Sequence, residues 1–139
     1  MVIKWEKPTM KHGEPTKWGW IVLYPENLTL GENVDIGAFS LLQAKEGIII
    51  EDDVQLGGGV KVYSVDSETG RRGRVVIEKG VCIGANSVIF PNTKIGAGAL
   101  VGALSELPFG TVVQKNEIWK GSPAKKIGFI INGKRIYGN

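Results

Sequence analysis

The chain holds one cysteine, Cys82, and one histidine, His12. A single thiol permits no internal disulfide, and its ordinary place is buried and inert. One imidazole and one thiolate cannot supply the three or four ligands of a zinc site, so metal-dependent chemistry is set aside. Long apolar runs are missing as well. No stretch approaches the ~20 residues of a membrane span, and "MVIKWEKPTMKHGEP" has no apolar core of a signal peptide. These absences point to a cytoplasmic protein without a membrane span. There is also no Gly-x-x-x-x-Gly-Lys-Ser/Thr phosphate loop.

What is abundant is glycine, 20 of 139 residues, about twice its ~7% average usage. With 42% hydrophobic and 22% charged residues the composition is that of a globular protein of one domain. A domain of this size buries only about two thirds of its unfolded surface, which makes association physically reasonable. The net charge of +3 is unevenly spread. Seven acids against Lys45 lie between Glu26 and Asp53, and six bases against Glu117 between Lys115 and Asn139. The basic end suits phosphates, but no aromatic residues are interleaved with it as a stacking platform, so nucleic acid is not expected.

From Leu30 an aliphatic residue returns every sixth position: Leu30, Ile36, Leu42, then Ile50, Leu56, Val62, then Ile77, Ile83, Ile89, then Ile95, Val101, Leu107 and Val113. In a helix, residues six apart stand about 120° from eclipse, so a helix is excluded here. An extended strand needs no glycine at each sixth position, yet Gly31, Gly37, Gly57, Gly84, Gly96 and Gly102 follow the aliphatic residues. The chain must therefore turn every six residues. Short strands ending in such turns give a solenoid with three sides per coil and the aliphatic residue of each hexad inside.

The hexads, with the closing "WKGSPAKKIG", resemble the left-handed parallel β-helix of the hexapeptide-repeat acyltransferases. The closing segment is similar to the family's Gly-Asn-Pro-Ala-Lys signature, with Ser122 where Asn is commoner. The expected fold is all-β: residues 1–27 an arm or cap, 28–113 a β-helix of about four coils, and 114–139 the closing motif with a hairpin at Asn132-Gly133. The left hand is implied by the resemblance and runs against the usual crossover rule. "YPENLT" is a degenerate lead-in, and the three N-terminal-arm tryptophans read as packing in preference to a sugar platform.

Two interruptions break the count. Leu42 to Ile50 is eight residues, and Val62 to Ile77 is fifteen, so "VKVYSVDSETGRRGRVV" sends an excursion of nine extra residues off the wall within the loop 63–76. Polar groups on such a loop are where chemistry is expected. The resemblance implies transfer of an acyl group, acetyl foremost, from coenzyme A to an amine or hydroxyl of a sugar or nucleotide-linked sugar. It also implies a homotrimer with sites between neighbours. In that family a strand of the type aliphatic-x-aliphatic-Tyr leads to a proton-accepting His; here Tyr63 matches, but Ser67 stands at the histidine's place.

Candidate proton acceptors are therefore Asp66 and Glu68 beside Ser67, or His12 from the arm of a neighbouring subunit. Tyr63, Arg71, Arg72 and Arg74 are candidates for the acceptor, the arginines alternatively for salt bridges. Gly84, Ala85, Gly102 and Ala103 would let the pantetheine arm lie against the wall, with Lys120, Lys125 and Lys126 toward the phosphates; alternatively the small residues make turns and the lysines serve solubility. The zinc-dependent carbonic-anhydrase branch of the same fold needs three imidazoles and is not a match. A silent trimeric binding or assembly module is the alternative reading.

Overall fold

A computed structural model of the chain describes residues 4–138. The first coil is built from β1 (Ile21–Leu23), β2 (Leu28–Leu30) and β3 (Asp35–Ile36), and the second from β4 (Leu41–Gln43), β5 (Ile48–Ile50) and β6 (Gln55–Leu56). The third comprises β7 (Lys61–Tyr63), β8 (Val75–Ile77) and β9 (Cys82–Ile83), the fourth β10 (Val88–Ile89), β11 (Lys94–Ile95) and β12 (Leu100–Val101). The fifth holds β13 (Glu106–Leu107), β14 (Val112–Val113) and β15 (Glu117–Gly121), after which β16 (Ala124–Ile131) and β17 (Lys134–Tyr137) form the hairpin. Every third strand stacks in parallel register, giving three walls: β1-β4-β7-β10-β13, β2-β5-β8-β11-β14, and β3-β6-β9-β12-β15 extended by β16 and β17. This is the left-handed parallel β-helix.

There are five coils, not about four. Val22 is fully buried and in register with Leu42, which makes Ile21–Leu23 a wall strand and not part of the arm. Val22 to Leu30 is eight residues, as is Leu42 to Ile50. The first coil carries the same two extra residues at the same corner, and a strict count of six passes over it.

The inward positions are as the hexads dictate. Leu42, Ile50, Val62, Ile77, Ile83, Ile89, Ile95, Val101 and Leu107 are wholly buried, each contributing about 1.5–3 kcal/mol by leaving water. Cys82 is the exception to expectation: it is only half-buried, because the neighbouring Ile83 takes the inward direction of β9 and alternation turns the thiol outward.

Outside the corner that carries the extra residues, each turn uses a left-handed residue three places after an inward aliphatic one, as at Asn33, Asp53, Asn86, Asn92 and Asn116. The glycines just after the aliphatic residues answer a different need. A Cβ on Gly84 would collide with the backbone nitrogen of Ala103 in the next coil, so the corner closes only over a missing side chain. Buried serines brace the corner before the first wall: Ser40 Oγ donates to Gly57 O at 3.0 Å and accepts from Val60 N at 3.1 Å, and Ser87 Oγ donates to Gly102 O at 3.0 Å and accepts from Ser105 N at 3.2 Å. At the corner between the second and third walls, acids do similar work. Asp52 accepts from Glu32 N, Glu51 from Lys79 N and Glu78 from Ala97 N. Glu51 and Asp52 of the acidic stretch are thus structural.

The ends are closed. The arm bonds back onto the first coil through Gly13 N to Val22 O and Thr16 N to Trp20 O. At the other end Asn132 (φ 50°) and Gly133 (φ 74°) make the two-residue turn of the expected hairpin.

Candidate active site

The loop between β7 and β8 is an ordered miniature hairpin. Val65 bridges Arg72, Asp66 N donates to Arg71 O at 2.8 Å, and Gly70 N to Asp66 O at 2.8 Å. Asp66 is its organiser: Oδ1 accepts from Glu68 N at 3.0 Å and Oδ2 from Thr69 Oγ1 at 2.9 Å. A carboxylate has about four lone-pair sites, so two remain for other donors. Ser67 and Glu68 are exposed at the tip. Beneath the loop, Ser64 is fully buried and anchors it, donating to Gln43 O at 2.7 Å and accepting from Glu46 N at 2.9 Å.

The three arginines divide their work. Arg72 pairs with Glu46 of its own chain at 2.9 Å, Arg71 lies 5.0 Å from the Phe109 ring, and Arg74 packs its stem beside Gly47. Tyr63 is half-exposed on the outer face of the first wall, 6.1 Å from Phe90.

His12 sits at the same corner as the loop but two coils lower. Its Nδ1 accepts from Tyr24 N at 2.9 Å, and the two rings meet edge to face at 4.8 Å. With Nδ1 so engaged, the neutral imidazole carries its proton on Nε2. Two coils at the ~4.8 Å strand spacing separate Tyr24 from Ser64, so His12 and the loop carboxylates are not brought together within one chain. The arm tryptophans are chiefly packing: Trp20 is buried, Trp5 Nε1 donates to Val34 O at 3.0 Å, and only Trp18 is 43% exposed. They border a bowl of about 420 Å³ at the base of the prism.

At the opposite edge of the first wall the predicted small residues form a continuous column. Gly57 abuts Ala85, Gly84 abuts Ala103, and Gly102 lies under the aliphatic stem of Lys120. Lys120 is the direct cross-strand partner of Lys125, so both ammonium groups stand on one face. Both lysines are exposed, and neither joins an ion pair among the described residues. Like charges directly opposite are unfavourable unless an anion lies between them. Lys126 differs, since its ammonium is already held by Glu117 at 3.1 Å.

Sequence reasoning passed over Glu106. Ser122 Oγ donates to Glu106 Oε1 at 2.8 Å on the outer face of the first wall, in a cleft of about 340 Å³ with Asn86, Val88, Phe90 and Leu104. The signal available was Ser122 itself, the odd residue of the closing motif. No group of three or more metal-ligating side chains is found among the described residues.

Prism, hexads and corner column together define a left-handed β-helix protein of the hexapeptide-repeat class. The family model described as the hexapeptide repeat of succinyl-transferase matches residues 27–64 and 74–104, skipping most of the loop, and the chain belongs to the hexapeptide-repeat family. It is similar to a serine acetyltransferase of Buchnera aphidicola, 39% identical over 65% of this chain and 34% of the relative. A putative acetyltransferase of Bacillus subtilis, YvoF, is 33% identical over 77% of this chain and 51% of its own. The chain thus spans about half or less of the length of these curated relatives. Among solved structures, a variant of AntD, an N-acyltransferase from Bacillus cereus, in complex with dTDP-4-amino-4,6-dideoxyglucose and coenzyme A superposes with a TM-score of 0.66 at 26% identity, covering 81% of this chain and 77% of that one.

Proposed function

We propose that the protein transfers an acyl group, acetyl foremost, from coenzyme A to an amine or hydroxyl of a sugar or nucleotide-linked sugar. The observation that carries this reading is the column from Gly84 and Ala85 through Gly102 and Ala103 to the facing lysines 120 and 125. A shallow track of exposed backbone suits the amides of a pantetheine arm, and two unpaired ammonium groups at its end suit phosphates. The acetyltransferase relatives and the coenzyme A and nucleotide-sugar ligands of the AntD structure support it.

In this mechanism the thioester lies across the first wall, between the column at one edge and the loop at the other. Tyr63 bounds the acceptor, and Asp66 is the base that the loop holds in place, with Glu68 and Ser67 beside it and Arg71, Arg72 and Arg74 around the acceptor's charged groups. The acceptor nitrogen or oxygen attacks the thioester carbon, the carbon–sulfur bond breaks, and the thiolate takes up the proton released by the acceptor. The protein works as a homotrimer, a neighbouring copy closing the site, and His12 of that neighbour is the second candidate base. We assign the reaction to the cytoplasm, where coenzyme A thioesters are supplied.

One observation favours binding without turnover instead: both oxygens of Asp66 already serve the loop's own turns. Calorimetric titration with acetyl-coenzyme A is the first test, followed by thiol release in the presence of amino and hydroxy sugars. No binding at millimolar concentration would overturn the acyltransferase reading. Binding without thiol release across the acceptors would favour the silent module.

A further inference from the structure

We propose that Glu106, held by Ser122, recognises the acceptor as an ammonium ion, which gives up one proton to solvent before its nitrogen attacks the thioester, so that this protein acylates an amine and not a hydroxyl. The inference rests on the acyltransferase reading and adds the class of acceptor.

Several other acids of the coils have structural employment. Glu51, Asp52 and Glu78 each accept a backbone N–H from a neighbouring coil, and Glu46 and Glu117 hold basic side chains. Glu106 does none of this. It joins no ion pair among the described residues, and the Ser122 hydroxyl donates to Oε1, which leaves Oε2 for a ligand.

Ser122 is itself positioned. The N–H of Gly121 donates to Ser105 Oγ at 3.2 Å, and Ser105 Oγ donates to Gly102 O at 2.7 Å, which sets the closing segment over β13. The carboxylate is thereby oriented before any ligand arrives. Phe90, on one side of the cleft, also packs against Tyr63 under the loop, and Leu104, on the other, continues the Gly102–Ala103 step of the column. The cleft lies between the two edges that the acyltransferase reading needs.

Leu104 shapes the cleft. It is 71% exposed and has φ 60°, the left-handed region, at a corner position that Phe39 holds in the same conformation and where other coils have Gly19, Gly59 and Asn86. A branched apolar side chain there is held out into solvent over the cleft. With Val88 and Phe90 it lines the surroundings of the carboxylate with apolar surface. A charge-assisted bond from an ammonium is then roughly twice as strong as a neutral bond from a hydroxyl.

The test uses the full chain and matched ligands that differ in one group: D-glucosamine against D-glucose, and dTDP-4-amino-4,6-dideoxyglucose against its 4-hydroxy counterpart, each titrated in the presence of coenzyme A. At least one amine should bind about tenfold or more tightly than its hydroxy partner, the range of a charged hydrogen bond. Glu106→Gln keeps an oxygen to accept from Ser122 and removes only the charge; it should bring the two within about twofold of each other while coenzyme A affinity and thermal midpoint stay unchanged. No preference for either amine, or a preference that survives in Glu106→Gln, overturns the proposal. Loss of coenzyme A binding in the unmodified protein would instead reject the acyltransferase reading beneath it.

Discussion

Lys126 reaches across the β15–β16 strand pair to donate to Glu117 Oε2 at 3.1 Å, with its ammonium 3.7 Å from the centre of the Phe129 ring. The Glu117 side chain, nearly buried, also accepts from Gln114 N at 2.7 Å and Trp119 Nε1 at 3.1 Å on its other oxygen. The hairpin is thus locked to the final coil by one satisfied carboxylate.

Acid should release that lock. Burial is the largest single influence on the Glu117 carboxyl and pushes its pKa up, but the hydrogen bonds from Gln114, Trp119 and Lys126 and the Lys126 charge together hold it below the ordinary 4.5. The unfolded chain therefore takes up this proton first as pH falls. The stabilisation is complete above about pH 4.5 and is lost as pH falls through the folded value. Unfolding midpoints measured from about pH 7 to pH 3 should decline less steeply at the acid end in Glu117→Gln than in the unmodified chain. At neutral pH, Glu117→Ala should cost about 2 kcal/mol in urea unfolding, since it strands three donors. Equal acid slopes in the two proteins would show that the carboxylate does not couple to folding.

The core was legible from the sequence and the surface chemistry was not, for a reason visible in particular residues. Inward positions such as Ile77, Ile83 and Ile89 repeat at a fixed interval along the chain, so one dimension suffices to find them. Glu106 and Ser122 are 16 residues apart, and Ser40 and Val60 are 20 apart. They meet only because successive coils and the closing segment stack in register, and for Ser40 and Val60 the extra residues at one corner of the first three coils scramble that register for a reader of the sequence. The loop was found because it broke the count. Its hairpin, and Asp66 as its organiser, depend on a local pairing of Val65 with Arg72 that no period announces.

Gly84 offers a clean separation of structural and ligand roles. Its Cβ would meet backbone of the next coil, which cannot swing aside as a side chain can. Gly84→Ala should therefore destabilise the chain by about 1–3 kcal/mol, the usual cost of overpacking, whether or not coenzyme A is present. Gly70 faces open space at the loop tip but has φ 75°, so Gly70→Ala should cost only about 1–2 kcal/mol of backbone strain and leave the walls intact. Urea denaturation with far-ultraviolet circular dichroism reads both, and an undiminished midpoint in Gly84→Ala would contradict the close coil contact.

Phe39 and Leu104 share a corner, both in the left-handed region and 82% and 71% exposed. Each costs about 1–2 kcal/mol over a residue that tolerates that conformation. In the proposed trimer the offset is contact with a neighbouring copy. The double change Phe39→Asn and Leu104→Asn uses the residue already found at Asn86 of the same corner. It should shift the sedimenting mass from trimer toward monomer and raise the monomer's own thermal midpoint by relieving strain. A trimer of unchanged affinity would remove this corner from the interface.

The facing lysines make the sharpest prediction about the donor. Lys120 lies flat over Gly102 because that residue has no side chain, and the register puts Lys125 directly across from it. If the pair receives phosphate oxygens, removing one ammonium should weaken coenzyme A binding by about tenfold, the scale of one charge-assisted bond. Calorimetric titration of Lys125→Ala with coenzyme A and with its 3′-dephospho form resolves which phosphate is held. Weakening confined to coenzyme A assigns the 3′-phosphate to the pair, while equal weakening of both assigns the diphosphate. The unmodified chain should also bind less tightly as salt rises, since both ammonium groups are exposed, and Lys125→Ala should show a shallower salt dependence. Coenzyme A affinity that is the same in Lys125→Ala and insensitive to salt would mean that the two lysines repel each other to no purpose at this site, and the column beside them would lose its claim to the nucleotide end of the donor.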